Sequence, residues 1–327
     1  MEVERRTGGP RLFERSELNP LLVADDWPYP VNSVFNAGAT RLPSGQTLLL
    51  VRAEDMRGIS HLCAARTGDG LTDWAIDTEP TLIPDPINYP EEIWGIEDPR
   101  ITWLEEPEHH MVTFTSYSLG GPGVSLAHTE DFRSFHRLGM VLTPDDKDAA
   151  VFPRRFGGRW AILHRPIALD RPAHIWLSFS PDLRHWGESR ILLEARRGAW
   201  WDARKIGLST PPLETNRGWL IFYHGVRETA AGSIYRLGAA LLDLEDPREV
   251  LLRSDEWMFG PSEPYERVGD VPDVVFPCGM TLGDDGDTIH LYYGAADTAV
   301  CAAVGSLGGV LDWLEECGRP GGKARDI

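Results

Sequence analysis

The sequence predicts an all-β protein folded as a five-bladed β-propeller. Three observations carry that reading. Helical periodicity is scarce, and short apolar runs are separated by turns rich in the chain's 33 Gly and 25 Pro, the pattern of many short strands. No linker or low-complexity stretch divides the 327 residues, a length that propellers and barrels reach as one unit. One strand-like segment recurs five times, and such recurrence marks a repeat architecture.

The five copies, in order, are "GQTLLLVRAED" (45–55), "HHMVTFTSYS" (109–118), "GRWAILHRP" (158–166), "RGWLIFYHGV" (217–226) and "DTIHLYYGAAD" (287–297). Each opens on a polar residue or Gly, runs through apolar residues and ends on polar ones. They lie about 50–70 residues apart, a spacing that suits one four-stranded blade, and five copies make five blades. A second segment type alternates with them: "ISHLCAARTGDGLTDW", "GVSLAHTEDFRSF", "AHIWLSFSPDLRHW" and "YRLGAALLDLEDP". Each is a strand followed by a turn bearing an acid. The competing architecture is an irregular β-sandwich. Residues 1–327 are expected to form one domain, with an N-terminal extension over about 1–18 and a C-terminal tail over about 313–327 that ends in the disordered-looking "CGRPGGKARDI".

Composition narrows the partners. A net charge of −18 argues against nucleic acid and against an anionic membrane, both of which need a basic face. The N-terminus "MEVERRTGGPRLF" has no signal-like apolar core and no run reaches membrane-span length. The four cysteines (Cys63, Cys278, Cys301, Cys317) are scattered without CxxC pairing, so the expected location is a reducing cytoplasm. Lysine occurs only at 147, 205 and 323 in an Arg-rich chain; a Lys retained there is a candidate for a role needing its compact charge.

In a propeller the blades converge at a central channel, so polar residues at the ends of the repeated strands should meet: Arg52, Asp55, His164, Arg165, His224 and Asp297. In "WGIEDPRITWLEE" (94–106), Pro99 restrains the backbone of the preceding Asp98. A carboxylate with a raised pKa can protonate a leaving group. Local pattern alone does not separate Glu97 from Asp98, and a surface turn would look similar. Arg100 could orient such an acid. Lys147, His164, Arg165, Lys205 and His224 supply a set that suits an anion, with no glycine-rich phosphate loop in the chain. Asn36, Arg41, Arg52, Glu54, Asp55 and Asp297 have sugar-binding character, and Tyr235, Trp200 and Trp201 could stack on sugar faces. No metal site is expected, because no HExxH motif or His/Cys cluster is present; "DDGDT" (284–288) reads as a hairpin turn rather than a calcium loop. No GxSxG elbow supports a serine triad.

Taken together, "FNAGATRL", "VRAED", "GIEDPRIT", "AVFPRR", "LHRP", "WWDARKIG", "FYHG", "VVFPCG" and "LYYGAAD" resemble glycoside hydrolase family 130, the β-mannoside phosphorylases and related enzymes, over about residues 19–304. The resemblance implies a five-bladed propeller. It implies that Asp98 is the general acid, passing its proton through the 3-hydroxyl of the mannosyl unit. Inorganic phosphate, a co-substrate rather than a cofactor, then attacks with inversion to give α-mannose 1-phosphate. It implies phosphate binding by Lys147, Arg165, Lys205 and His224, with Arg154 and Arg155 as alternatives to Lys147. It assigns Asn36, Arg52 and Asp297 to the mannosyl subsite and Tyr235 to the acceptor side, with Asp55 and Arg100 as further substrate contacts. The implied partners are a β-1,4-mannoside (mannosyl-N-acetylglucosamine, mannosylglucose or a mannooligosaccharide) and phosphate, with no cofactor; any assembly is expected to be a homo-oligomer. The alternatives are a β-mannoside hydrolase on the same scaffold and a non-catalytic sugar-binding propeller.

Overall fold

A computed structural model describes residues 12–167 and 172–321. Five antiparallel sheets are arranged as the blades of a propeller. Blade 1 comprises Ser33–Arg41, Thr47–Glu54, Ser60–Thr67 and Ala75–Ile76; blade 2, Ile96–Leu104, His109–Ser118, Gly121–Thr129 and His136–Leu142; blade 3, Asp146–Val151, Trp160–Pro166, Ile175–Ser180 and Gly187–Leu193. Blade 4 comprises Lys205–Leu208, Gly218–Thr229, Gly232–Leu242 and Val250–Ser254, and blade 5, Val275–Leu282, Thr288–Ala295 and Ala299–Ser306. The five recurring segments are the second strands of the five blades. The four acid-bearing segments are third strands.

The recurring strands read as unbroken apolar runs because both faces are buried. Leu48 and Leu50 pack toward blade 2, whereas Leu49 and Val51 pack toward blade 5. In blade 4, Leu220 and Phe222 face blade 5, while Ile221 and Tyr223 face blade 3. Five apolar clusters fill the five interfaces between neighbouring blades. The acids after the third strands have one common task. Asp69, Asp131, Asp182 and Asp243 each accept backbone N–H bonds from the residues two and three positions on, closing the turn. Asp285 does the same inside "DDGDT", which is a hairpin turn.

The ends of the chain correct the expected boundaries. Phe13–Arg15, inside the expected extension, is the outermost strand of blade 5, paired with Ala299–Ser306. The Arg15 guanidinium locks it by donating to both oxygens of the fully buried Glu266 at 2.7 and 2.8 Å. The tail begins later than residue 313. Leu307–Cys317 is a helix capped by Ser306, its Val310, Leu311, Trp313 and Leu314 buried against blades 4 and 5. Gly318–Arg319 then pairs with Val250–Ser254. Residues 1–11 and 322–327, with Lys323, lie outside the described residues. Among the described residues, no helix is long and apolar enough to cross a membrane.

Candidate active site

Each blade's first strand lines the propeller axis, and in three blades it carries the same distortion. Register slips between Phe35 and Gly38, Glu97 and Arg100, and Lys147 and Ala150 place one extra residue in each inner strand. The residues in these bulges adopt left-handed backbone: Asn36 at φ 48°, Asp98 at φ 50° and Asp148 at φ 54°. Bulges re-aim side chains, and strained backbone of this kind gathers at functional sites. Asn and Asp tolerate it because their short polar side chains bond locally. A single structural device therefore directs three polar side chains inward from three blades, Asn36 and Asp98 into the cavity and Asp148 just behind its lining.

Asp98 is 2% exposed. Its Oδ1 accepts from Asn36 Nδ2 at 2.9 Å and from Arg52 Nη1 at 3.0 Å, while Lys147 Nζ lies 4.0 Å from Oδ2. Arg52 also donates to Glu97 at 3.1 Å and to Ser60 at 2.9 Å. Glu97 is thus the partner of Arg52, and Asp98 is the carboxylate that lines the cavity. Burial pushes its carboxyl up, but Arg52, Lys147 and Asn36 outweigh burial and hold it below the ordinary value. In the free site Asp98 is ionised, contrary to the raised pKa that a resting acid would show. Lys147 is discharged less readily than usual, because Asp98 and Asp148 outweigh its own burial.

The cavity of about 150 Å³ is lined by residues of all five blades, among them Asn36, Arg52, Asp98, Lys147, Arg165, Lys205, His224, Tyr235, Phe276 and Asp297. Its volume matches roughly five waters' share of liquid, room for a small anion and the reacting end of a sugar. The lining holds four cationic side chains (Arg52, Lys147, Arg165, Lys205) against two carboxylates (Asp98, Asp297), in a chain of net charge −18. His224 is 1% exposed; its Nδ1 has no hydrogen-bond partner, and its Nε2 lies 3.3 Å from Asp148 Oδ2. Burial draws its pKa down to about 4, against the pull of Asp148; the neutral ring offers one N–H donor. Lys205 Nζ lies over the Tyr235 ring, 5.2 Å from its centroid.

Asp297 is pushed up to about 6 from 3.8 by burial and by the charge of Asp98. The native state therefore holds this proton more tightly than the unfolded chain does. Stability falls as pH rises from about 4 to about 6, and stays lower above that window. Asp297→Asn is expected to raise Tm by a few degrees more at about pH 7.5 than at about pH 4, as read by thermal scans at both values. An equal change at the two pH values would contradict this.

Several expected site residues lie elsewhere. Asp55 closes the turn after its strand, accepting from the backbone N–H of Arg57 and Ile59 and pairing with the Arg57 guanidinium; it is not part of the lining. Arg100 is 1% exposed and donates to the carbonyls of Ser209, Leu208 and Asp98. It ties blade 2 to blade 4 behind the cavity and does not line it. His164 points to the opposite face from Arg165, as alternate strand residues must, and is held by Asp146 at 2.6 Å and Ser178 at 2.8 Å. Arg41 pairs with Asp284. No Trp lines the cavity among the described residues: Trp201 stacks on Tyr223, and Trp200 lies beneath Arg196. Neither alternative to Lys147 lines the cavity. Arg154 is bound to Leu244 and Glu214, and Arg155 to Gly158 and Pro181.

Two residues went unread in the sequence. Phe276 lies against His224, the two rings tilted with centroids 4.6 Å apart, and helps line the cavity. Asp148 is fully buried, beside Arg165 and His224. The signal for it was present, since "EDP" and "KDA" place an Asp at the same point of successive inner strands.

Cations from three blades facing a buried carboxylate define a class of protein: a propeller whose axial cavity is equipped to bring a small anion against an acid. The family model described as beta-1,4-mannooligosaccharide phosphorylase, that of glycoside hydrolase family 130, matches residues 23–316. The β-1,4-mannooligosaccharide phosphorylase of Ruminococcus albus is 32% identical, covering 92% of this chain and 90% of that protein. The β-1,2-mannobiose phosphorylase of Listeria innocua is 37% identical, covering 80% of this chain and 70% of that protein. A solved structure of a β-1,2-mannobiose phosphorylase from Listeria innocua, in complex with β-1,2-mannobiose, superposes with a TM-score of 0.84 at 30% identity, over 93% of this chain and 99% of that one. The chain belongs to glycoside hydrolase family 130 and is a glycoside phosphorylase.

Proposed function

We propose that the chain is an inverting β-mannoside phosphorylase, with Asp98 as its acid and Lys147, Arg165, Lys205 and His224 as its phosphate site. The observation that carries this reading is the surplus of cations lining the cavity, four against two carboxylates. An inverting hydrolase needs a second carboxylate to activate water; an anionic nucleophile needs positive charge instead. Asn36, Arg52 and Asp297 hold the mannosyl unit, and Tyr235 faces the acceptor.

The free carboxylate must gain a proton before it can act. Phosphate entering among Lys147, Arg165 and Lys205 offsets the charges that keep Asp98 ionised and adds negative charge of its own, so the carboxyl rises and takes up a proton. Asp98 then gives that proton to the mannosyl 3-hydroxyl, which passes its own to the glycosidic oxygen as the C1–O bond breaks. A phosphate oxygen forms the new bond to C1 from the opposite face. The products are α-mannose 1-phosphate and the shortened acceptor.

For the linkage we propose β-1,4, in line with the family description and with the Ruminococcus relative that spans most of both chains. A β-1,2 linkage is the second reading, favoured by the higher identity to the Listeria protein. Rates on β-1,4- and β-1,2-mannobiose, each with phosphate, decide between them. The first reading expects kcat/KM to be at least about tenfold higher on the β-1,4 sugar, a difference worth one decade of transition-state binding. The reverse order establishes the second.

A further inference from the structure

Asp148 is the most enclosed charge near the site, with no exposed surface, and it is absent from the cavity lining. Its Oδ2 accepts from Arg165 Nε at 2.7 Å and lies 2.6 Å from Arg165 Nη2. The same oxygen is 3.3 Å from His224 Nε2, and Oδ1 is 3.6 Å from Arg100 Nη2. The surrounding cations hold its carboxyl far below the ordinary value despite burial. Space is kept for this contact by Gly207, which stands opposite His224 in the strand register; a Cβ there would run into Asp148 and come within 2.6 Å of His224 Cε1. Asp148 occupies in blade 3 the bulge position that Asp98 occupies in blade 2. Asp98 faces the cavity, whereas Asp148 lies behind two of the groups that face it.

The geometry points to Asp148 as a positioning residue for phosphate: it clamps Arg165 so that the remaining N–H donors of that fork converge on the anion, and it stands against the ring of His224 beside them. This rests on the phosphorolysis reading above. The arrangement fits the rule that a long cation binds with directional bonds only when its fork is held. It also makes a prediction opposite in sign to bare electrostatics. Removing a buried negative charge beside an anion site leaves the site more positive, and charge alone would then tighten phosphate. Loss of the clamp weakens it.

The test uses Asp148→Asn in the full chain, measuring the KM for phosphate and, separately, mannobiose binding without phosphate by calorimetry. The expected result is a KM for phosphate raised about tenfold or more, the scale of a lost bond to a charged group, with mannobiose binding within about twofold of wild type. A double-mutant cycle with Arg165→Lys is expected to be non-additive, because Asp148 acts through Arg165. A lower or unchanged KM for phosphate overturns the proposal, and so do additive effects. Loss of mannobiose binding in parallel with phosphate, including outright failure to fold, also overturns it, since the role would then be structural only. If the wild-type enzyme shows no phosphate dependence, the phosphorolysis reading itself fails; if wild type depends on phosphate and the variant matches its KM, only the positioning role fails.

Discussion

Asp98→Asn is expected to lower kcat for phosphorolysis by about 10²–10⁴-fold, the share that a positioned general acid carries, while leaving substrate binding largely in place. The side chains match in shape, and the amide oxygen can still accept from Asn36 and Arg52, which hold Oδ1 at 2.9 and 3.0 Å. What is lost is the oxygen near Lys147 that takes up and gives the proton. Phosphate is expected to bind at least as well to the variant, because a negative charge facing the cavity is gone. Steady-state rates with phosphate in excess, together with mannobiose binding by calorimetry, check both halves. A non-catalytic sugar-binding propeller would keep its function in this variant. Turnover within about tenfold of wild type would remove Asp98 from the role of acid.

Lys205→Ala is expected to raise the KM for phosphate by about 10–100-fold, the equivalent of one hydrogen bond to a charged group at about 1.5–3 kcal/mol. The reason lies in how the four cations are committed. Arg52 is held by Asp98 and Glu97, Arg165 by Asp148, and Lys147 sits 4.0 Å from Asp98. Lys205 forms no ion pair among the described residues and rests only against the Tyr235 ring. Its charge is the least compensated of the four and the most available to an anion. The KM for the mannoside should move far less, which separates loss of the phosphate site from general damage. An unchanged KM for phosphate would take Lys205 out of the anion site.

Much of this was legible in the sequence because propeller geometry writes itself as repetition. The second strands of all five blades could be found because burial on both faces leaves an apolar run that stands out in a Gly- and Pro-rich chain. Strand ends then pointed to Arg52, Arg165, His224 and Asp297, all of which line the cavity. The errors share one cause: a strand end fixes which residues are near the axis, not which way each points. Asp55 and His164 are neighbours of true lining residues on the wrong side of a turn or a pleat. Arg100 reads as a substrate-binding Arg, yet its guanidinium is used up on backbone carbonyls of blade 4. Asp148 shows in the sequence only as an Asp at the same point of its inner strand as Asp98 in the one before, while the left-handed bulge that gives it importance is visible only in the structure. The C-terminal helix was hidden by Gly308 and Gly309 at its start and by the Gly- and Pro-rich residues after it, although Val310, Leu311 and Leu314 carry helical spacing.

In the proposed reaction phosphate, not water, receives the mannosyl unit. The measurement that tests it most directly is product analysis of purified enzyme incubated with β-1,4-mannobiose, and with β-1,2-mannobiose in parallel, in the presence and absence of inorganic phosphate. Phosphorolysis gives α-mannose 1-phosphate and one equivalent of mannose with phosphate, and almost no cleavage without it. Free mannose as the only product, released at equal rates whether or not phosphate is present, would contradict it.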